Sequence, residues 1–340
     1  MKSAIYTGKE KMEIRDAAPV APNDDEVRLV VAWCGICGTD LHIFHGRMDK
    51  RVAIPQVIGH EMSGTVVEVG RKVTNWQPGD RVVVRPLDWC GDCPACRAGH
   101  SHVCMNLKFM GIDSIGAFQE SWTVKARTLH RVPDNLDLKT AALVEPLAVA
   151  CHDVRTAELA PNEFALVQGA GPIGLLIALV ARAQGIRVLL SEINPNRLAL
   201  ARQLGFEAVN PMETDLVALV NERTDGAGAD ALFEVTASMP GAASMTQTVR
   251  VRGKIVLVGI FSTPAPVDLH RFFWRELRLL GARLYTPDDF DQALALADTG
   301  NMPLDCVITN TFPLDQIQTA FASLAGNPTA VKTLIQCSQS

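Results

Sequence analysis

The feature that most constrains this chain is a glycine-rich turn between an apolar strand and an apolar helix. Residues 164–168 predict the strand and 174–184 the helix, and between them lie Gly169, Ala170, Gly171, Pro172, Ile173 and Gly174. In this pattern the first glycine permits a tight turn, the second lets backbone amides approach a pyrophosphate, and the third lets the helix pack closely. The free N–H groups of the helix favour the same anion. The turn therefore predicts a dinucleotide site.

Strands and helices continue to alternate after this turn. The sequence predicts strands at 187–190, 230–235 and 254–260 and helices at 197–204, 215–223 and 242–249. This order predicts right-handed crossovers and therefore an α/β fold with a doubly wound parallel sheet.

The strand predicted at 187–190 is followed by Glu192. An acidic side chain at that place accepts hydrogen bonds from the adenosine ribose hydroxyls and repels a 2′-phosphate, which favours NAD over NADP. Arg197 follows closely enough to offset part of that repulsion. The alternative interpretation is that the glycines only make a tight turn and that Glu192 is a solvated surface acid.

The two ends of the chain differ in pattern from its middle. Short strands are predicted at 27–32, 64–69, 81–85 and 122–124, separated by Gly, Pro and Asp, which is typical of a partly closed β-barrel. The last part of the chain, from 288, predicts helix, strand, helix and strand, and is too short to form a domain alone. We therefore expect a β domain made of 1–146 and 286–340, interrupted by an α/β domain at 147–285.

Composition narrows the classes of partner. The chain has 340 residues and a net charge of −5, without a basic run. A protein that binds nucleic acid or anionic membranes needs a positively charged surface, so we expect neither partner. The sequence also has no apolar N-terminal stretch and no apolar run near the ~20 residues that a membrane span needs. We expect a cytoplasmic protein with no membrane partner.

Six of the nine cysteines form two clusters. The larger cluster consists of Cys90, Cys93, Cys96 and Cys104, a spacing that can wrap four thiolates around one tetrahedral Zn²⁺ at ~2.3 Å. Four sulfurs fill the coordination shell, so this zinc would be structural. Two disulfides and an iron–sulfur cluster are the alternatives.

The second cluster predicts a metal site of another kind. Cys37, His60 and a carboxylate from Glu61 or Glu145 would form a three-ligand shell with one open position, the arrangement of a catalytic zinc. A redox dithiol of Cys34 and Cys37 is the alternative, but the neighbouring βα unit of thioredoxin-like folds is missing from the pattern.

Together these motifs resemble the medium-chain, zinc-dependent alcohol and polyol dehydrogenases. The resemblance spans nearly the whole chain and follows the family's order, with Gly35-Ile36-Cys37-Gly38-Thr39-Asp40-Leu41-His42, Gly59-His60-Glu61, the four cysteines, Glu145-Pro146-Leu147, the glycine turn and the closing segment 330–335. It implies a GroES-like barrel as the catalytic domain, with the structural-zinc lobe, and a Rossmann domain that binds NAD. It also implies an active site between the two domains and assembly into homodimers or homotetramers.

The resemblance assigns roles to single residues. It implies that Cys37, His60 and Glu61 bind the catalytic zinc, and that Glu145 ligates it directly or through water; which glutamate lies in the inner shell stays open. Thr39 and His42 match the family's proton relay. Further dinucleotide contacts are expected from residues at strand ends and at the return to the β domain, namely Ile173, Val258, Gly259, Ile260, Leu284 and Tyr285. The expected cofactors are NAD and two Zn²⁺ per chain.

The resemblance also implies the reaction. The sequence Glu145-Pro146-Leu147-Ala148 is more similar to the polyol and vicinal-diol branches than to the threonine branch. We therefore predict reversible hydride transfer from a secondary alcohol, a polyol or vicinal diol, to NAD, which gives a ketone. L-Threonine 3-dehydrogenation is the alternative. A non-catalytic, zinc-stabilised NAD-sensing protein is an alternative of another class, although a sensor has no need of an open metal position.

Overall fold

The computed structural model describes residues 1–324 and 329–338. The chain divides into two compact units. We call Met1–Glu145 with Thr286–Ser340 the split unit and Pro146–Tyr285 the central unit. The sequence predicts the first boundary between 146 and 147, one residue after the boundary between Glu145 and Pro146 in the structure.

The first part of the split unit is mostly β-strand. Its strands are β1 (Lys2–Gly8), β2 (Lys11–Asp16), β3 (Glu26–Gly35), β4 (Gln56–Val57), β5 (Glu61–Val69), β6 (Arg81–Val84), β7 (Leu87–Asp88), β8 (Lys108–Phe109), β9 (Ser121–Lys125) and β10 (Leu129–Arg131). Three short helices, α1 (Gly38–Phe44), α2 (Pro94–Arg97) and α3 (Leu138–Ala141), interrupt them. In β3 the side chains of Val27, Leu29 and Val31 are fully buried, because alternate residues of a strand face the same side of the sheet.

The central unit alternates helix and strand. Its elements are α4 (Val144–Ala157), β11 (Phe164–Gln168), α5 (Pro172–Ala183), β12 (Arg187–Ser191), α6 (Pro195–Gln203), β13 (Glu207–Val209), α7 (Leu216–Arg223), β14 (Ala229–Glu234), α8 (Met239–Ser244), β15 (Val249–Leu257), α9 (Leu269–Arg275) and β16 (Arg278–Gly281). The first two residues of α4 belong to the split unit.

The six strands of the central unit form one parallel sheet. Their order is β13-β12-β11-β14-β15-β16, and every neighbouring pair is parallel. Counted from β11, this is the order 3-2-1-4-5-6 of a Rossmann fold, which confirms the predicted sheet. All residues of β11 are buried, as expected for a central strand covered on both faces.

One helix and one strand of this unit differ from their predicted ranges by more than two residues. The helix predicted at 242–249 ends with Ser244, and β15 already begins at Val249. The strand continues through Arg252, which has a φ of 59°, and its register against β14 shifts between Ala229 and Ala231. A bulge of this kind tolerates the glycine that follows Arg252, so the strand is longer than its apolar run suggests.

The C-terminal segment returns to the sheet of the split unit. It forms α10 (Pro287–Asp298), β17 (Ile308–Pro313), α11 (Ile317–Leu324) and β18 (Lys332–Gln336). The sheet order is β10-β6-β5-β3-β18-β17, with β9 also paired to β3, and a second sheet has the order β2-β1-β4. The last strand, β18, therefore lies beside the end of β3, and its side chains lie close to the residues there. Across 1–324 and 329–338, no helix has both the length and the apolar character to span a membrane.

Candidate active site and metal sites

Three of the predicted ligands meet where β3, α1 and β5 come together. Cys37 directly precedes α1, and His60 and Glu61 stand at the start of β5. The antiparallel register places Gly35 at the end of β3 opposite Glu61, which brings the two segments together. Cys37 Sγ, one ring nitrogen of His60 and one carboxylate oxygen of Glu61 all lie within 4.8 Å of one another.

Asp40 is a buried neighbour of two of these residues. It lies in the first turn of α1, and its Oδ2 accepts a hydrogen bond of 2.9 Å from the Cys37 N–H. Its Oδ1 is 3.6 Å from Nδ1 of His60, and neither atom has a hydrogen-bond partner among the described residues. Burial lowers the pKa of His60, but Asp40 and Cys37 raise it by more, to well above its ordinary value. The surroundings of His60 are therefore anionic and favour a cation.

Lys332 is a second residue of this site that the sequence interpretation missed. Its Nζ forms an ion pair with Glu61 Oε2 and donates a hydrogen bond of 3.1 Å to the Ile36 carbonyl. Burial lowers the pKa of Lys332, but Glu61, Cys37 and Glu145 raise it above the ordinary lysine value. A charged residue in the apolar end strand was the available signal, because buried lysines are rare unless they are paired.

Glu145 stands apart from the three-residue group. It is the second residue of α4 and is 5% exposed. Within 1–324 and 329–338, it contributes no oxygen to the group of ligand atoms that lie within 4.8 Å of one another.

The chemistry of the three-residue group suits a zinc ion. A thiol, an imidazole and a carboxylate are a donor set that binds zinc. Among the described residues, the buried Oδ1 of Asp40 and Nδ1 of His60 have no hydrogen-bond partner, which marks this as a polar site with unmet interactions. The residues present therefore fit a zinc ion.

The two predicted relay residues lie on α1. Thr39 is half-buried and His42 is exposed. Nδ1 of His42 is 3.3 Å from a guanidinium nitrogen of Arg47. Burial, then Arg47 and His45, lower the pKa of His42, so its imidazole is neutral at neutral pH and can accept a proton.

The four-cysteine lobe is compact. The sulfur atoms of Cys90, Cys93, Cys96 and Cys104 all lie within 4.8 Å of one another. The lobe is closed at its base by antiparallel pairing of β7 with β8. Backbone N–H groups of Cys96 and Met105 lower the pKa of Cys93 to about 6, which favours the thiolate that binds metal. The donor set and its spacing fit a tetrahedral zinc ion.

The cysteines are all free thiols, so neither lobe disulfides nor a Cys34–Cys37 disulfide is present. Cys34 is fully buried in β3 and does not belong to the ligand group. Burial, together with the nearby Cys337, raises the pKa of the Cys34 thiol well above its ordinary value. Cys34 is therefore a packed thiol in this structure and not a reactive one.

The glycine turn has the conformation that the sequence predicts. Gly169 has a φ of 101°, in the region that favours glycine. A Cβ on Gly174 would collide with the carbonyl oxygen of Gly169, so the helix can only pack this closely with glycine there. Pro172 and Ile173 form the first turn of α5, and Gly171 caps it. A Cβ on Gly171 would lie 3.8 Å from a guanidinium nitrogen of Arg197.

Glu192 and Arg197 both lie beside this turn. The Glu192 carboxylate accepts hydrogen bonds of 2.8 Å from the N–H groups of Ala170 and Asn194. The buried Nε of Arg197 has no hydrogen-bond partner among the described residues. An unpartnered cationic donor beside free helix N–H groups suits an anionic ligand.

The remaining predicted cofactor contacts lie in different surroundings. Val258 and Gly259 follow β15, and their N–H groups donate to the Glu234 carbonyl at 3.0 and 2.9 Å, while Ile260 is 80% exposed. Leu284 has a φ of 59°, and Tyr285 is fully buried. Because its ring is packed in the protein interior, Tyr285 offers no open surface to a dinucleotide, and its predicted role stays a prediction.

Comparison with known proteins identifies the family. The chain matches the alcohol dehydrogenase GroES-like domain over residues 23–134 and the zinc-binding dehydrogenase domain over residues 172–299. It is also 53% identical, over 99% of both chains, to the 2-dehydro-3-deoxy-L-galactonate 5-dehydrogenase of Pseudoalteromonas atlantica. The chain belongs to the zinc-dependent medium-chain alcohol and polyol dehydrogenases.

Solved structures of this family agree with that assignment. The 2R,3R-butanediol dehydrogenase of Bacillus subtilis superposes with a TM-score of 0.91 at 32% identity, over 98% of this chain and 99% of that one. A protein described as a short chain alcohol dehydrogenase from Escherichia coli CFT073, complexed with NADH, superposes with a TM-score of 0.92 at 27% identity, over 99% of both chains. The chain is therefore an oxidoreductase built from a GroES-like and a Rossmann domain, as the sequence predicts.

Proposed function

We propose that this chain is a zinc- and NAD-dependent dehydrogenase that oxidises a secondary hydroxyl of an open-chain polyhydroxy compound to a ketone. The observation that carries the proposal is the group of Cys37, His60 and Glu61, whose ligand atoms lie within 4.8 Å of one another in anionic surroundings. Three protein ligands leave a coordination position for substrate, whereas the four sulfurs of the lobe do not.

The chain's own residues have distinct tasks in this proposal. Cys37, His60 and Glu61 would hold the catalytic zinc, and the lobe cysteines would hold a structural one. Asp40, close to Nδ1 of His60, would orient the imidazole, as carboxylates commonly do for metal-binding histidines. Glu145 would lie outside the inner shell. The bound zinc would supply a Lewis acid that lowers the pKa of an alcohol hydroxyl.

Proton and hydride leave the substrate by different routes. The hydroxyl of Thr39 and the neutral imidazole of His42 would pass the hydroxyl proton to solvent. When bound, NAD would supply the acceptor for the hydride. The N–H groups of the glycine turn and Arg197 would hold its pyrophosphate, and Glu192 would bind the adenosine ribose, which excludes a 2′-phosphate.

The most similar relative reported above suggests the substrate class. It is a 2-dehydro-3-deoxy-L-galactonate 5-dehydrogenase, and the 53% identity extends over 99% of the chain. We therefore propose a sugar acid with a secondary hydroxyl as the substrate. Simple polyols and vicinal diols are weaker candidates, and L-threonine remains the alternative.

A substrate panel tests the proposal. The purified protein is incubated with NAD and separately with 2-dehydro-3-deoxy-L-galactonate, sorbitol, 2,3-butanediol and L-threonine, and NADH formation is followed by absorbance. We expect kcat/KM for the sugar acid to exceed the others by at least about tenfold, since unpaired polar groups in a site penalise the wrong substrate. The fastest turnover with L-threonine would favour the alternative. Tight NAD binding without turnover of any substrate would favour the NAD sensor.

We also infer a homo-oligomer, a dimer or a tetramer, in the cytoplasm. Phe273 and Trp274 on α9 are 76% and 67% exposed, and exposed aromatic patches commonly mark contact surfaces. Light scattering of the wild type and of Trp274→Glu tests this. We expect the variant to have the smaller mass, and a monomeric wild type would contradict the inference.

A further inference from the structure

Glu61 and Lys332 meet across a strand that belongs to neither of them. Strand β3 lies between β5, which carries Glu61, and β18, which carries Lys332. Gly35 at the end of β3 is opposite Glu61 on one side and Leu334 on the other. The two charged side chains therefore approach each other over Gly35.

Gly35 provides the space for this ion pair. A Cβ on Gly35 would collide with Glu61 Oε2 and would lie 3.0 Å from Cε of Lys332. A side chain at this position would therefore push the carboxylate and the ammonium group apart. The glycine and the two charges form one arrangement, drawn from three strands that are distant in sequence.

The pair is too deeply buried to be a surface salt bridge. The side chains of Lys332 and Glu61 are 3% and 2% exposed, and Lys332 is also held by the Ile36 carbonyl. Surface pairs exchange freely with water, but a buried charge that loses its partner is strongly destabilised. Lys332 therefore remains paired with Glu61. The Glu61 carboxylate also has an oxygen within 4.8 Å of ligand atoms of Cys37 and His60.

We propose that Lys332 is a positioning residue that competes with the metal for the Glu61 carboxylate and keeps Glu61 a weak, exchangeable zinc ligand. The inference rests on the proposed zinc site. A carboxylate that is shared with an ammonium group gives less negative charge to a metal, and the ammonium also repels the cation. Lys332 thereby lowers the affinity of the site for zinc and keeps the bond between Glu61 and the metal exchangeable.

Replacement of the lysine tests this on the zinc-loaded protein. Zinc release to a coloured chelator is measured for the wild type, Lys332→Met and Lys332→Arg. For Lys332→Met we expect slower release from the catalytic site by roughly tenfold, the lower end of the range for outer-shell partners of metals. Lys332→Arg keeps the charge and should release zinc at nearly the wild-type rate. A cobalt-substituted Lys332→Met protein should show an altered visible spectrum, because Glu61 would bind more fully.

Whether zinc release becomes slower or faster distinguishes a positioning role of Lys332 from a merely structural one. Lys254 is a matched control, because it is also buried and its Nζ donates hydrogen bonds to the carbonyls of Ala157 and Glu158 in the central unit. Lys254→Met should lose stability without slower zinc release. If Lys332→Met does not fold, Lys332→Gln keeps a donor for the Ile36 carbonyl and should still slow release. Unchanged or faster release in these Lys332 variants would overturn the inference.

The outcome is distinguishable from failure of the proposed function. Metal analysis of the wild type that finds only the lobe zinc would contradict the proposed catalytic site. Two zinc ions per wild-type chain, with release that does not respond to Lys332, would contradict only the role of Lys332.

Discussion

The four-cysteine lobe and the Cys37 site both gather metal-binding side chains, but the chain builds them differently. The lobe takes all four sulfurs from residues 90–104, and its backbone N–H groups act on those sulfurs locally. The Cys37 site takes its groups from the ends of β3 and β5, from α1 and from β18. A closed shell can thus be encoded in a short segment, whereas an open shell depends on strand pairing that fixes each ligand and its neighbours.

The largest expected effect comes from the open site. Cys37→Ser should lower kcat by at least about a thousandfold, because Lewis-acid stabilisation amounts to several kcal/mol and each 1.4 kcal/mol is tenfold. Zinc content should fall from two to one per chain, with the lobe zinc retained. Steady-state kinetics and metal analysis of the same preparation measure both. Wild-type turnover with full zinc content would show that Cys37 is not a ligand.

Loss of a lobe cysteine should lower the free energy of unfolding and leave kcat unchanged. Cys104→Ser should lose the lobe zinc and roughly 4 kcal/mol of unfolding free energy, because the binding energy of a structural metal is part of the folding energy. At low temperature the kcat of the folded fraction should remain near the wild-type value. Denaturant unfolding and kinetics check this. A loss of kcat as large as that of Cys37→Ser would erase the distinction between the two sites.

Asp40 tests how far the open site depends on groups that do not bind metal. Asp40→Asn should weaken zinc binding by about 10- to 100-fold, the usual cost of removing an outer-shell carboxylate from a metal-binding histidine. The lobe zinc should be unaffected, which gives an internal control. Competition with a chelator measures the two affinities separately. Equal weakening at both sites would indicate a general loss of stability.

The smallest effect is expected in the pH dependence. Arg47 contributes to the lowered pKa of His42, after burial, so Arg47→Ala should raise that pKa. Because His42 must be neutral to accept a proton, the acid limb of kcat/KM should move to higher pH, with little change on the alkaline side. Arg47→Lys keeps the charge and serves as the control. An acid limb that is the same in all three proteins would exclude His42 from the relay.

Much of this protein could be predicted from short segments. The parallel sheet follows from alternating strand and helix patterns, and the glycine turn follows from three glycines that each meet a local steric need, as Gly169 and Gly174 show. The lobe follows from cysteine spacing. The N-terminal strands β1 and β2 were not predicted, and β15 was predicted too short, because a bulge interrupts its pattern at Arg252.

The sequence by itself indicated the family, the parallel sheet of the central unit, and Cys37, His60 and the four lobe cysteines as candidate metal ligands. Only the tertiary structure grouped Glu61, and not Glu145, with Cys37 and His60, and placed Asp40 and Lys332 against them. The physical reason is the distance along the chain over which each interaction acts. Turn geometry and cysteine spacing act within a few residues, but the partners of a buried charge come from whichever strands pair beside it.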